Sequence, residues 1–111
     1  MRQTDLTAEQ IILRLEDGDQ EFPICFYINE LGELAQTGDT TAEGVLHSYL
    51  DADMPPMERA PAYLHLKLCT HPLSLHTRQL LREFEEHPLN RDIVIWAHEQ
   101  LTRIQQTTVV H

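Results

Sequence analysis

Apolar residues recur at three- and four-residue steps along most of this chain, which is the spacing of an amphipathic α-helix. After the first glycine, Ile24, Ile28 and Leu31 fall on one helical face and leave Glu30 and Glu33 to face water. Turn residues divide the chain into segments of about 10 to 20 residues, which is helix length rather than strand length. The pattern predicts an all-α fold of about six helices, arranged as three antiparallel helical hairpins.

Capping signals indicate where the first two helices begin and end. Thr7 and Gln10 have the spacing of a capping box, and Gly18 stands where a left-handed residue would end the helix. Asp19 can begin the second helix if Pro23 falls within its first turn, and Phe22 or a neighbour is the alternative first residue; the helix is expected to reach about Gln36.

The middle of the chain carries the least regular signals. Thr40 and Glu43 predict a second capping box, which would open a short third helix. Pro55, Pro56 and Pro61 interrupt the next segment, and a proline inside a helix breaks or kinks it. Either the fourth helix begins at residue 60 or 61, which we favour, or a longer helix bends at Pro61.

One stretch favours a strand instead of a helix. Leu64, Leu66 and Leu68 alternate with His65 and Lys67, which is the period of a half-buried strand. No glycine-containing hairpin nearby supplies a partner strand, and an isolated strand would be unstable. Helix therefore remains the prediction here.

The C-terminal third has the clearest boundaries. The pair His87 and Pro88 ends one helix, and Asn90 is placed to cap the last one. In that last helix Trp96 lies in an apolar stripe and is expected to be buried. We predict a single helical domain over residues 1–104 and a frayed tail over residues 105–111.

Charge excludes several classes of partner. Of the 111 residues, 18 are Asp or Glu and only 8 are Lys or Arg, which gives a formal net charge of −10. Binding to nucleic acids or anionic membranes relies on clustered positive charge, so we expect neither. A basic protein partner fits this surface better.

No segment has the apolar length of a membrane span or the pattern of a signal peptide, so a cytoplasmic location and reduced thiols at Cys25 and Cys69 are expected.

Two segments resemble a known repeat family. The run from Leu15 to Glu21, followed by Ile28-Asn29-Glu30-Leu31-Gly32-Glu33-Leu34, is similar to a HEAT-like unit, in which an acidic turn joins two helices. The residues His87 to Asn90, with Trp96, Ala97 and Leu101, show the same order. The likeness covers about half the chain and departs from the family at Phe22 and Pro23, where an arginine is common. It implies a short α-solenoid that binds a protein partner, without shared catalytic residues; a compact helical bundle fits the apolar spacing as well.

Four residues form the best metal candidate in the sequence: His65, Cys69, His71 and His76. The first two lie four residues apart, which places them on one helical face. The competing interpretation is that histidines near the end of a helix interact favourably with its dipole. The isolated glycines make no phosphate-binding loop, and no serine lies in a nucleophile elbow, so neither a cofactor nor a catalytic residue is predicted.

Acidic residues cluster near two predicted turns, and stacked hairpins would bring equivalent turns to one edge. The residues of this predicted acidic edge are Glu16, Asp17, Asp19, Glu21, Asp51 and Asp53. The leading hypothesis is a non-enzymatic protein–protein interaction module or adaptor that uses this edge, with electrostatics assisting association. The alternatives are an acidic mimic of nucleic acid that inhibits a nucleic-acid-binding protein, and a metal-binding protein. A homodimer is left open, because a short repeat array exposes its end faces.

Overall fold

A computed structural model describes residues 4–18, 21–51, 53–69 and 73–109, with side chains as far as residue 104. The described residues form helices and contain no strand, which confirms the all-α prediction. The helices are α1 (Ala8–Asp17), α2 (Ile24–Gln36), α3 (Thr40–Ser48), α4 (Pro56–Leu68), α5 (Leu75–Glu86) and α6 (Arg91–Val109). The stretch with strand-like alternation lies within α4, and the α6 backbone continues past residue 105, where fraying was expected.

Local capping chemistry determines several helix ends. The Thr7 side chain accepts a hydrogen bond from the Gln10 backbone N–H, the Gln10 side chain accepts one from the Thr7 N–H, and Gly18 ends α1 with φ 69°. The predicted capping box and the predicted left-handed Gly18 are both confirmed. The capping box predicted for α3 is wrong, because Asp39 caps that helix by accepting from the Ala42 N–H at 3.0 Å. Asx residues are strong N-caps, so the helix begins at Thr40, one residue earlier than the box requires.

The helix α4 begins at Pro56, so the later start expected from the sequence is wrong, and Pro61 lies within the helix. A proline has no N–H, and the carbonyl four residues before it loses its helical donor. Here that carbonyl belongs to Met57, and the Cys25 thiol of α2 lies 3.7 Å from its oxygen as a donor. A tertiary contact thus serves the carbonyl that Pro61 leaves without a helical bond.

The second helix of each hairpin packs on the second helix of the next hairpin. The helix α2 packs most extensively on α4, α4 also contacts α6, and α1 contacts α3. Cys25 meets Met57 near the start of α2 and α4, and Gln36 meets His65 near their ends, so these two helices run in the same direction. The largest fully buried side chains are Ile11, Tyr27, Ile28, Leu31, Leu46, Tyr63, Leu66 and Thr77.

One predicted water-facing residue is buried. Glu30 of α2 is only 3% exposed to solvent. The segment before α1 crosses over it, and both the backbone N–H of Thr4, at 3.2 Å, and the Thr4 hydroxyl donate to its Oε1. Helical periodicity cannot detect such a crossing, because the covering segment lies 26 residues away in the chain.

The outward face of α6 also differs from the prediction. Trp96 is 38% exposed, whereas Ala97 beside it is fully buried. The helix therefore turns its smallest apolar residue toward α4, and the expected burial of Trp96 is wrong. The short 3-10 helix Pro88–Asn90 precedes α6, and its buried Asn90 accepts from Arg59 of α4 and donates to the Phe84 carbonyl of α5. Within the described residues, no helix combines the length and apolar character needed to cross a membrane.

Candidate functional site

An open apolar groove of about 550 Å³ runs between α1 and α3, the first helices of the first two hairpins. Its lining residues are Ile12, Leu15, Glu16, Thr41, Gly44, Val45, Ser48 and Tyr49. Because Gly44 has no side chain and no atom lies within 4 Å of the position its Cβ would take, the α3 side of the groove is open. The groove joins helices from different hairpins, so only the tertiary structure creates it.

The polar atoms of the groove have defined roles. The Ser48 hydroxyl donates to the Val45 carbonyl of its own helix at 2.6 Å and is already satisfied. The Tyr49 ring is buried, and its hydroxyl has no hydrogen-bond partner among the described residues. Burial raises the pKa of Tyr49, and the nearby Glu58 carboxylate raises it further, so the hydroxyl stays protonated and can donate.

Carboxylates stand at one end of this groove. Glu16 lines the groove, and Asp17 follows it at the end of α1, where both are exposed. Negative charge at a helix C-terminus opposes the helix dipole, at a cost of about 0.3 to 1 kcal/mol per residue. Glu21, also exposed, pairs with Arg14 at 3.7 Å. Asp19 lies outside the described residues. The carboxylates of Glu16 and Asp17 therefore do not stabilise α1.

The remaining two members of the predicted acidic edge follow α3. Asp51 and Asp53 are both exposed, and the Asp51 carboxylate accepts from the Asp53 N–H at 2.9 Å, which closes the turn. Asp51 borders a different, smaller groove between α3 and α5. Glu16 and Asp51 thus line separate grooves, and a single acidic strip along one edge stays a prediction.

A polar network that the sequence reasoning missed joins α3 to α5. The fully buried Thr77 hydroxyl donates to Glu43 at 3.0 Å, accepts from His47 Nε2, and lies 2.8 Å from the Ser74 hydroxyl. Burial lowers the pKa of His47, Glu43 raises it, and His76, whose ring centroid lies 5.4 Å away, lowers it further, with a net decrease. Thr77 is closed to solvent, so its hydroxyl is not an accessible nucleophile, and the network connects α3 to α5. Its signal in the sequence is the four-residue spacing of Glu43 and His47.

His65, the first member of the metal candidate, already has partners for both ring nitrogens. Its Nε2 lies 2.9 Å from Asn29 Oδ1 and its Nδ1 lies 3.2 Å from Gln36 Nε2, so Nε2 carries the proton. Burial lowers the pKa of His65, although Glu33 opposes the shift. Cys69 donates to the His65 carbonyl at 3.5 Å. The neutral imidazole connects α4 to α2.

The other members of the metal candidate lie elsewhere. His76 packs against His47 on α3, and His71 falls outside the described residues. Within the part of the chain that the structure describes, no three His, Cys, Asp or Glu side chains are grouped to hold a metal ion. The structure therefore separates His76 from His65 and Cys69.

Comparison with known proteins identifies no relative. No family model, no curated protein and no solved structure matches the chain.

Proposed function

We propose that this protein is a non-enzymatic interaction module that binds a basic amphipathic helix of a partner protein in the groove between α1 and α3. The observation that carries the proposal is the position of the Glu16 carboxylate on an otherwise mostly apolar groove. An amphipathic helix buries its apolar face in such a groove. Its basic residues would then meet the carboxylates at the end of α1.

Electrostatics favours a basic occupant over any other. The chain has a net charge of −10, and Asp17 beside Glu16 leaves the α1 terminus with two carboxylates at the negative pole of the helix. A Lys or Arg of the partner would relieve this repulsion and speed association. The Tyr49 hydroxyl, which has no hydrogen-bond partner within the described residues, adds a donor for a partner carbonyl.

The test uses two synthetic helical peptides of about 18 residues, long enough for about five turns, which share their leucine positions. One peptide has lysine and the other glutamate at the polar positions, and fluorescence anisotropy of a labelled peptide measures binding. We expect the lysine peptide to bind at least about tenfold more tightly, and expect the double variant Glu16→Gln/Asp17→Asn to lose most of that preference. Binding of the lysine peptide should also weaken as salt is raised.

Matched variants localise the binding. Gly44→Arg fills the groove with a bulky cation, yet arginine is a better helix former than glycine, so the fold is kept. Gly44→Ala adds only a methyl group and should retain binding, as should Glu86→Gln on the exposed face of α5. Equal affinity for the two peptides, or full binding by Gly44→Arg, would refute the proposed site.

We further propose that the hairpins stack as in HEAT-like repeats. The side-by-side packing of α2 on α4 and of α4 on α6 supports this arrangement. A consensus helical hairpin appended after α6 should then fold as part of one cooperative unit and raise the melting temperature. In a closed bundle the appended hairpin would find no complementary face, and the melting temperature would not rise.

The alternative function is that of an acidic mimic of nucleic acid, and a competition experiment tests it. If the basic partner is itself a nucleic-acid-binding protein, duplex DNA should compete with this protein for it. If DNA does not compete with this protein for the partner, the protein recognises a helix of the partner without imitating nucleic acid. Either outcome accords with the cytoplasmic location expected from the sequence.

A further inference from the structure

Positive charge is scarce in this chain, and a large share of it surrounds one groove. Three of the eight basic residues, Lys67, Arg78 and Arg82, line an open groove of about 300 Å³ between α4 and α5. Lys67 is the only lysine of the chain. The single carboxylate that lines the groove is Glu85, so its immediate charge is positive although the whole protein carries −10.

Glu85 neutralises only the lysine. Its carboxylate lies 3.1 Å from Lys67 Nζ and accepts a hydrogen bond from the Tyr63 hydroxyl at 2.5 Å. Burial alone would raise the pKa of Glu85, but the hydrogen bonds from Tyr63 and Lys67 outweigh it and lower the pKa, so the carboxylate stays ionised. One acid and one base are therefore matched within the groove.

The two arginines remain uncompensated. Arg78 and Arg82 are exposed on α5, and neither has an ion-pair or hydrogen-bonding side-chain partner in the part of the chain that the structure describes. Their four-residue spacing brings two like charges together on one helical face, which is unfavourable for the isolated helix. Although the chain has 18 Asp and Glu residues, no ion pair forms with either arginine within the described residues. An oxyanion held between the two guanidinium groups would remove the repulsion.

Apolar residues complete the groove. Leu66, Leu73 and Leu81 also line the groove, where Leu66 and Leu81 are buried and Leu73 is half-buried. A free inorganic anion would make no use of them, whereas a peptide with acidic and apolar side chains matches both features. We infer that the groove between α4 and α5 is a second docking site, which binds an acidic, leucine-containing segment of a protein through Arg78 and Arg82.

The second site is independent of the groove between α1 and α3, because the two share no lining residue. With both sites, the protein holds a basic segment and an acidic segment on different surfaces. The two can belong to one partner or to two, so the molecule acts as a charge-matched connector.

The test uses wild-type protein with methyl-labelled leucines and two blocked synthetic peptides, one of alternating glutamate and leucine and one of glutamine and leucine. We expect the glutamate peptide to shift the methyl resonances of Leu66, Leu73 and Leu81 in a saturable manner. Its affinity should exceed that of the glutamine peptide by at least about tenfold. The double variant Arg78→Gln/Arg82→Gln should lose at least that factor, while Arg91→Gln on α6 should not.

Two further measurements separate this site from the first groove and from a small-anion site. Glu16→Gln/Asp17→Asn should bind the glutamate peptide unchanged, whatever it does to the basic peptide, so either site can fail alone. Inorganic phosphate that shifts the same methyl resonances as strongly as the peptide would overturn the peptide assignment. Equal binding of the glutamate and glutamine peptides to the wild-type protein would overturn the site, without recourse to any variant.

Discussion

Gly32 of α2 lies against the imidazole ring of His65 of α4, with no room for a side-chain carbon between them. A Cβ on Gly32 would overlap the ring, and it would also lie 2.6 Å from the His65 Cβ. The position of that Cβ does not depend on the rotamer, so rotation of the ring cannot make space. The close approach also sets the imidazole between Asn29 and Gln36, where both ring nitrogens are satisfied.

Gly32→Ala should therefore destabilise the protein, although alanine is the better helix former. Forcing α2 and α4 apart is an overpacking change, which lowers the free energy of unfolding by about 1 to 3 kcal/mol. Gly44→Ala is the control, because its Cβ would meet no atom, and it should raise the free energy of unfolding by up to about 1 kcal/mol. Urea unfolding measures both changes. A stabilised Gly32→Ala variant would contradict the packing described here.

Stability should fall as the pH is lowered from 8 toward 5. Burial lowers the pKa of both His47 and His65 in the folded protein, whereas in the unfolded chain they titrate near 6.5. Below pH 6.5 the unfolded chain binds protons that the folded state resists, so the free energy of unfolding decreases until the folded-state pKa is reached. His65→Gln should flatten this dependence in urea unfolding series. If carboxylates caused the pH dependence, the free energy of unfolding would instead decrease below pH 4.5, the usual pKa of a group such as Glu85.

Arg59 and Asn90 should respond differently to truncation. Arg59 is 9% exposed, and among the described residues only Asn90 Oδ1 accepts from it, at 2.6 Å, while its buried Nε has no partner. Asn90→Ala leaves a buried cation without a partner and should cost about 2 to 3 kcal/mol. Arg59→Met removes the charge but leaves the buried Asn90 Oδ1 without its donor; it should cost less than Asn90→Ala, because an unsatisfied neutral acceptor is less costly than a buried charge without a partner. Thermal unfolding of the two variants compares them, and equal losses would argue against an uncompensated charge.

Trp96→Ala should be mild for a tryptophan replacement. The side chain is 38% exposed, whereas Phe84 is 4% exposed and stacks on Tyr63 with ring centroids 4.8 Å apart. We expect Phe84→Ala to cost about 3 to 5 kcal/mol and Trp96→Ala clearly less. The indole fluorescence of the native protein should also be quenched readily by acrylamide. Trp96→Ala as damaging as Phe84→Ala would restore the buried placement that the sequence suggests.

Signals that act within a few residues were readable from the sequence. The Thr7 and Gln10 capping box, the left-handed Gly18 and the end of α2 at Gln36 depend on neighbouring backbone groups, so their sequence patterns predict them. The helical period likewise predicted the all-α fold, because each amphipathic segment requires an apolar neighbour whatever that neighbour is.

Tertiary structure alone decided which face each helix covers and what its irregular residues do. Pro61 lies inside α4, and the thiol of Cys25, 36 residues earlier in the chain, lies 3.7 Å from the Met57 carbonyl that the proline leaves without a helical donor. Glu30 is buried where the segment before α1 crosses it, and α6 exposes Trp96 while burying its neighbour Ala97. The two candidate grooves each join side chains from different helices. Such contacts depend on the relative positions of whole helices, and the local period carries no information about those positions.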